Sequence, residues 1–186
     1  MLELFVSWPF YRYGSVTFLF FTYSHSFCKR SIELYKQALD AYKKEGDLSG
    51  QAITNNDIGI SYDNLGYKQE ALDYLQQALP LRWAVGDRRG EAVTLNNIGR
   101  VYSDLGEKQE ALDYYQQALP LRRAVGDRSG EATTLGNLGF LLEEDQPELA
   151  IIFYKQSVNL YETLRKDIEQ LDPDIQQTYL STIEGT

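Results

Sequence analysis

The sequence predicts an all-α protein, a solenoid of antiparallel helical hairpins, from three observations. Residues 51–90 and 91–130 align without a gap and are identical at 28 of their 40 positions, so they are two copies of one structural unit. Within each copy, apolar residues recur every three or four positions in two separate segments, as on one face of a helix. A glycine closes each segment, as expected where a helix ends in the left-handed conformation. Two-helix units repeated at a fixed period stack into a solenoid.

The first helix of the unit is predicted over residues 92–105 in the second copy. Its apolar face is made of Ala92, Leu95, Ile98, Tyr102 and Leu105. Gly106 follows this face directly and is expected to end the helix. Gly99 lies within the helix, where the missing side chain leaves room for a second backbone to approach.

The second helix is predicted over residues 108–125. Its apolar positions are Ala111, Leu112, Tyr115, Ala118, Leu119 and Val125. Gly126 is expected to terminate it, and Asp127 to cap the helix that follows. Because the connections are only a few residues long, successive helices must be antiparallel neighbours.

Pro80 and Pro120 fall late within this second helix in the two full copies. A proline in a helix interior removes a backbone hydrogen bond and costs about 3 kcal/mol. The bonds lost would be to the carbonyls of Gln76 and Gln116, on a stretch expected to face water. We predict that the two prolines bend the outer helices and shape the curvature of the array.

Partial copies of the unit surround the two full ones. The predicted organisation is an aromatic-rich N-terminal extension (1–28), a repeat array (29–168) made of a half repeat (31–50) and three repeats (51–90, 91–130 and 131–166), and a C-terminal turn and short capping helix (169–186). Asp172 and Pro173 are expected to begin that last helix, which would run from about 173 to 183.

The N-terminal extension is unlike the rest of the chain. From Tyr13 to Cys28, 16 residues carry no formal charge, short of the roughly 20 apolar residues of a membrane span. A signal peptide starts with basic residues, whereas here the acidic Glu3 comes first and Arg12 falls in the middle of the segment. An atypical N-terminal helix or extension is therefore favoured over membrane insertion, with a start upstream of the true repeat as a further alternative. If the segment leaves the half repeat uncovered, the exposed apolar patch is expected to drive homodimerisation.

Composition argues against several functional classes. A net charge of −9 disfavours attraction to nucleic acid or to an anionic membrane. The single cysteine, Cys28, excludes a disulfide framework and is compatible with a reducing cytosol, so a cytoplasmic location is expected. His25 and Cys28 provide no oriented base or oxyanion stabiliser, and acidic residues such as Glu143 and Glu144 are expected on solvated helix faces. We predict no catalytic residues, no metal and no cofactor, and hence no enzyme.

The spacing of small and aromatic residues resembles the tetratricopeptide repeat (TPR) family. In the second copy this spacing comprises Ile98-Gly99, Tyr102, Gly106, Ala111, Tyr115 and Ala118. It recurs at Ile58-Gly59, Tyr62, Gly66, Ala71 and Ala78, and in part at Leu138-Gly139, Ala150 and Tyr154. The resemblance covers about residues 29–165. It implies a right-handed superhelix whose concave side is lined by the first helix of each unit and binds a protein or peptide.

Two finer resemblances concern the repeat period and the C-terminal part of the chain. The period of 40 residues, rather than 34, resembles the long-helix subfamily found in kinesin light chains, spindle-orientation adaptors and many bacterial proteins. The stretches 106–139 and 147–184 are together similar to the TPR region that precedes a caspase-like CHAT domain in bacterial proteins. The leading interpretation is a non-enzymatic interaction module. The alternatives are a regulatory fragment of a CHAT effector system and a self-associating structural scaffold.

Residues of the first helices that do not face the core form the predicted partner-binding surface. They are Asn56, Asp57, Ile60, Asp63, Asn96, Asn97, Arg100, Ser103, Asn137, Phe140 and Glu143. In related peptide-binding TPR proteins, asparagines just before the Leu-Gly pair hold the peptide backbone, since an amide side chain both donates and accepts. The alternative is that each asparagine bonds to a neighbouring repeat and was copied by the duplication.

Arg100 is the obvious cation of the inner helices, and its equivalents are Ile60 and Phe140. This pattern predicts a peptide ligand with an acidic residue flanked by hydrophobic ones. Arg100→Ala is accordingly expected to weaken ligand binding without unfolding the array. A clamp of several cations for a terminal carboxylate, as in chaperone-binding TPR proteins, is missing from the pattern.

Overall fold

The computed structural model describes residues 11–170, and their side chains from residue 28 onward. This part of the chain folds into seven helices and contains no strand. The helices are α1 (Tyr11–Glu45), α2 (Leu48–Asn64), α3 (Lys68–Val85), α4 (Arg88–Asp104), α5 (Lys108–Ala124), α6 (Arg128–Leu142) and α7 (Pro147–Glu169).

The helices pair as hairpins that stack in chain order. The most extensive contacts are within α2–α3, α4–α5 and α6–α7, and α3 packs on α4 as α5 packs on α6. Successive first helices also contact each other, α2 with α4 and α4 with α6, more extensively than successive second helices do. The first helices therefore line the inner, concave side of the array, and we call this surface the inner face.

Glycine and aspartate set the helix ends as the sequence predicts. Gly106 and Gly126 adopt φ values of 78° and 68°, in the left-handed region that only glycine enters without cost. Asp127 caps α6 by accepting a hydrogen bond from the backbone N–H of Gly130. Asp47 and Asp87 cap α2 and α4 in the same way.

The core lies between the two helices of each hairpin and between successive hairpins. Its fully buried side chains include Ile58, Leu75, Ile98, Tyr115 and Leu138. A Cβ added to Gly99 would lie 2.8 Å from the ring of Tyr115, so this glycine is required by a close approach of α4 and α5.

The N-terminal extension and the half repeat belong to one helix, because α1 runs unbroken from Tyr11 to Glu45. The boundary at residue 28 remains a prediction. The capping helix predicted over 173–183 lies outside the described residues. Among those that are described, no helix is long and apolar enough to cross a membrane.

Both prolines lie inside continuous helices, Pro80 in α3 and Pro120 in α5. Each proline is exposed, and so are Gln76 and Gln116, whose carbonyls lose their usual helical donors. Water can therefore satisfy these carbonyls, which lowers the cost of each proline. Their effect on curvature stays a prediction.

Candidate partner-binding face

The inner face carries the predicted binding residues at very different depths. Asn56, Asp63 and Asn96 are buried, and Phe140 and Glu143 are exposed. The remaining predicted residues are half-buried: Asp57, Ile60, Asn97, Arg100, Ser103 and Asn137. Of the predicted residues, the two exposed ones therefore lie at the C-terminal end of α6 and at its C-cap.

The asparagines form a ladder of hydrogen bonds between repeats. Oδ1 of Asn56 in α2 accepts hydrogen bonds from Thr94 Oγ1 at 3.3 Å and Asn97 Nδ2 at 3.1 Å in α4. One repeat later, Oδ1 of Asn96 accepts from Thr134 Oγ1 and Asn137 Nδ2 in α6, both at 3.1 Å. The ladder supports the alternative in which each asparagine bonds to a neighbouring repeat, because buried amides need such partners.

The ladder ends at the last hairpin. Gly136 occupies the position of Asn56 and Asn96, so α6 has no third acceptor to offer. A Cβ at Gly136 would have only Ser157 Oγ nearby, at 3.6 Å, so this glycine is not forced by crowding.

Asp57 is the exception at the start of the ladder. Its sister residues Asn97 and Asn137 donate to the preceding repeat, but a carboxylate cannot donate. Asp57 is half-buried and receives only a long hydrogen bond from Asn56 Nδ2, at 3.5 Å. Desolvation raises the pKa of Asp57, against the opposing effects of Asn56 and Arg82.

The groove between the first and second hairpins is closed by ion pairs. The side chain of Asp63 is only 1% exposed, and its Oδ2 lies 2.6 Å from Arg100 Nη2, as an ion pair rather than an aligned hydrogen bond. Lys68 Nζ bridges Asp63 Oδ1 and Asp104 Oδ2, each at 2.5 Å. Burial would lower the pKa of Lys68, but its hydrogen bonds to the two carboxylates outweigh burial and raise the pKa. Arg100 is therefore already neutralised within the chain.

The groove between the second and third hairpins is open. Ser103 replaces Asp63 and Phe140 replaces Arg100, so no ion pair fills this position. A pocket of about 150 Å³ lies here, lined among others by Ser103, Phe140, Leu141 and Glu143. The ring of Phe140 is 64% exposed. We call this site the Phe140 pocket.

Charged and phenolic groups rim the Phe140 pocket. Lys108 Nζ pairs with Glu144 Oε2 at 3.2 Å and Asp145 Oδ2 at 2.8 Å, all on exposed side chains. Tyr154 OH donates to Glu143 Oε2 at 2.7 Å. Desolvation and this carboxylate raise the pKa of Tyr154 to about 12, so the phenol stays protonated and fixes Glu143 at the rim.

A larger cavity of about 350 Å³ lies away from the inner face, at the turn into α4, beside Trp83 and Arg88. Trp83 Nε1 donates to Glu91 Oε1 at 2.8 Å, and Arg88 Nη1 to Glu91 Oε2 at 2.9 Å. Both carboxylate oxygens are therefore committed. In the next repeat Arg123 pairs with Glu131 at 2.7 Å, so these contacts hold the turn.

Sequence reasoning missed the two lysines that begin α3 and α5 and the threonines of the first helices. Lys68 and Lys108 follow the helix-ending glycines at identical positions, which is a visible signal for a repeated role. Thr94 and Thr134 recur in the same way and are fully buried. Among the described residues, no group of three or more His, Cys, Asp or Glu side chains is arranged to hold a metal ion.

The repeats match a known family. Profiles described as tetratricopeptide repeat match residues 70–124 and 90–163, and a second such profile matches residues 52–82. Together they cover more than half of the chain. No curated protein is significantly similar to it in sequence.

Solved structures share the fold at low sequence identity. The crystal structure of BtubC (BKLC) from P. vanneervenii superposes with a TM-score of 0.58 at 18% identity, covering 86% of this chain and 80% of its own. Kinesin-light-chain-like repeats from Podosopora anserina give 0.60 at 18% identity, with 76% and 74% covered. Apo RapI gives 0.55 at 16% identity, with 75% and 64% covered. These likenesses confirm the solenoid fold.

Proposed function

The chain belongs to the tetratricopeptide repeat family, and from this premise we propose that it is a non-enzymatic module that binds a protein or peptide segment along its inner face. The family fold supports an interaction role in general terms. The finer assignment, to the inner face, rests on one observation, which is the exposed Phe140 in an open groove between two hairpins.

Exposure of this ring has no structural explanation within the described part of the chain. Its sister Arg100 is held by a buried carboxylate, and its sister Ile60 is half-buried. Aromatic rings that line an exposed pocket are enriched at protein interfaces. Contact with a ligand explains the exposure of Phe140, which packing within the array does not explain.

The asparagines take a smaller part in this proposal than the family resemblance implies. Oδ1 of Asn56 and Asn96 is used within the array, and both residues are buried. Arg100 is likewise an internal partner of Asp63. We assign the binding role chiefly to Ile60, Ser103, Phe140 and Glu143.

Selection of peptides from a random display library on the full chain tests the proposal. Selected peptides should lose at least about tenfold in affinity on Phe140→Ala, since a central interface residue contributes more than about 1 kcal/mol. Ile152→Ala is the matched control, because Ile152 is 50% exposed on α7, on the second helix of the hairpin. Peptides that ignore both Phe140→Ala and Ile60→Ala would exclude the inner face as the binding site.

Self-association at the incomplete first repeat is a second candidate role. Leu34 in α1 and Leu48 and Ile53 in α2 are 50%, 41% and 46% exposed. Exposed apolar side chains on the terminal helices of a stack are candidates for an association surface. Sedimentation of the wild type and of Leu34→Glu at several concentrations tests it. We expect a dimer that the substitution weakens, and a strictly monomeric wild type would rule it out.

A further inference from the structure

The two inner grooves differ because two residues changed together between repeats. In the first groove, Asp63 and Arg100 neutralise each other and fill the space. In the second, Ser103 and Phe140 stand at the same positions and leave the Phe140 pocket open. A volume of about 150 Å³ accommodates a group the size of a benzene ring or a single apolar side chain.

Acidic residues dominate the turns that flank these grooves. Residues 60–75, 100–115 and 140–151 contain 11 of the 27 acidic residues of the chain and three of its 18 basic ones. Each range contains a turn within a hairpin and the helix ends beside it, and together these segments carry nearly all of the net charge of −9. We call them together the acidic edge.

The three bases of the acidic edge are already occupied. Arg100 pairs with Asp63, Lys68 with Asp63 and Asp104, and Lys108 with Glu144 and Asp145. Seven acidic residues of the edge have no ion pair within the described chain: Glu70, Asp73, Glu107, Glu110, Asp113, Glu143 and Glu148. All seven are exposed.

We propose that the Phe140 pocket and the acidic edge together bind a basic segment of a partner protein that inserts one apolar side chain beside Phe140. This inference rests on the proposed function and specifies the partner. The apolar side chain is recognised by the exposed ring and Leu141. Flanking arginines or lysines face uncompensated carboxylates, and an arginine can also stack on the phenyl ring.

The charge of this basic partner is opposite to that of the acidic ligand that Arg100 alone suggests. An acidic ligand residue at Arg100 would compete with Asp63, which is almost completely buried and cannot be left unpaired without cost. It would also meet the repulsion of the acidic edge. A basic ligand meets neither obstacle, and long-range attraction accelerates its association at low ionic strength.

Three labelled peptides test the inference by fluorescence anisotropy on the full chain. One alternates arginine with leucine, one glutamate with leucine, and one arginine with serine. We expect measurable affinity only for the arginine–leucine peptide, with weaker binding as salt rises. Phe140→Ala should lower that affinity at least about tenfold, whereas Ile152→Ala should leave it within about twofold.

A second variant keeps the test independent of a simple truncation. Ser103→Asp combined with Phe140→Arg installs the ion pair of the first groove in the second one, and it should abolish binding while the thermal midpoint shows that the array is folded. Glu107→Lys, which reverses one charge of the acidic edge, should weaken binding of the arginine–leucine peptide.

Several results would overturn the inference. One is that the glutamate–leucine peptide or the arginine–serine peptide binds with the same affinity as the arginine–leucine peptide. The others are that Phe140→Ala binds the arginine–leucine peptide as tightly as the wild type does, or that this peptide does not bind at all. The proposed function would survive if display-selected peptides depend on Phe140 or Ile60 yet are acidic or uncharged. It would fail with the inference only if no selected peptide depends on either residue.

Discussion

At position 63 and the equivalent position 103, the charge of one side chain determines whether the groove beside it is closed by an ion pair or open. Asp63 is buried and needs a counter-charge, which Arg100 supplies across the repeat boundary. Ser103 carries no charge, so its neighbouring repeat can present Phe140 instead. The pair of substitutions is readable in the sequence, because both members change between the same two repeats. Their contact is not readable, since it joins residues 37 positions apart through the stacking of α2 on α4.

Arg100→Ala is expected to destabilise the array rather than to affect only binding. It leaves the buried Asp63 carboxylate with Lys68 as its only cation, and we expect a loss of about 1–3 kcal/mol in the free energy of unfolding. Chemical denaturation at neutral pH measures this loss. The sister combination, Asp63→Ser with Arg100→Phe, is the control.

This double variant should lose clearly less free energy of unfolding than the two single substitutions, Asp63→Ser and Arg100→Phe, lose when their separate losses are added, because it removes both charges together. Strict additivity of the two single effects would show that the Asp63–Arg100 pair makes no energetic contribution. If Arg100→Ala itself leaves the free energy of unfolding unchanged, the earlier expectation that it spares the fold stands.

At the scale of helices, the sequence allowed nearly all of the architecture to be predicted. The first helix of the second repeat was predicted to end at residue 105 and α4 ends at Asp104, since Gly106 fixes the turn. The second was predicted to begin at 108, where α5 begins. Periodicity and capping are local properties, so they can be read from a single sequence.

The asparagines could not be assigned from the same pattern. An asparagine just before the Leu-Gly pair fits both a peptide ligand and a neighbouring helix. The choice depends on the offset between stacked helices, which brings Asn56 within 3.1 Å of Asn97. That offset is a tertiary property that helical periodicity does not contain.

Asp57→Asn is expected to stabilise α2 in the array at neutral pH. Desolvation raises the pKa of Asp57, so the folded state binds a proton there more readily than the unfolded state does. The folded protein therefore loses stability at this site as pH rises through the pKa of the folded state. Asparagine removes the charge and restores the residue type of the sister positions Asn97 and Asn137.

The gain should be greatest at neutral pH and should vanish below pH 3.8, the ordinary pKa of an aspartate in the unfolded chain, where the wild-type carboxyl becomes protonated in both states. Thermal melts of both proteins across this pH range measure it. Asp73→Asn, which makes the same change of net charge on an exposed residue of α3, is the control. A gain independent of pH, or an equal gain for Asp73→Asn, would contradict the explanation.

At the scale of the whole molecule, the position of a hairpin in the stack should determine how far damage spreads. The α4–α5 hairpin packs on a neighbour at each side, whereas the α6–α7 hairpin packs on α5 and α4 alone among the described helices. Ile151 and Val158 of α7 are 51% and 53% exposed, although the equivalent residues of α3, Leu72 and Leu79, are both buried. Arrays of this kind behave as sums of unit stabilities and nearest-neighbour interfaces.

Two identical steric clashes, placed in the centre and at the end of the stack, test this expectation. A Cβ at Gly99 would lie 2.8 Å from the Tyr115 ring, and one at Gly139 would lie 2.8 Å from the Tyr154 ring. Each alanine should therefore cost about 1–3 kcal/mol locally through overpacking.

By native-state hydrogen exchange, Gly139→Ala should lose protection mainly in α6 and α7, while Gly99→Ala should lose it on both sides of the central hairpin. Gly136→Ala, in the same helix as Gly139 but with only an ordinary contact to Ser157 Oγ at 3.6 Å from its Cβ, should gain about 0.5–1 kcal/mol instead. A uniform loss of protection in both destabilised variants would mean that the array unfolds as one cooperative unit, and that the last hairpin is as firmly held as the centre.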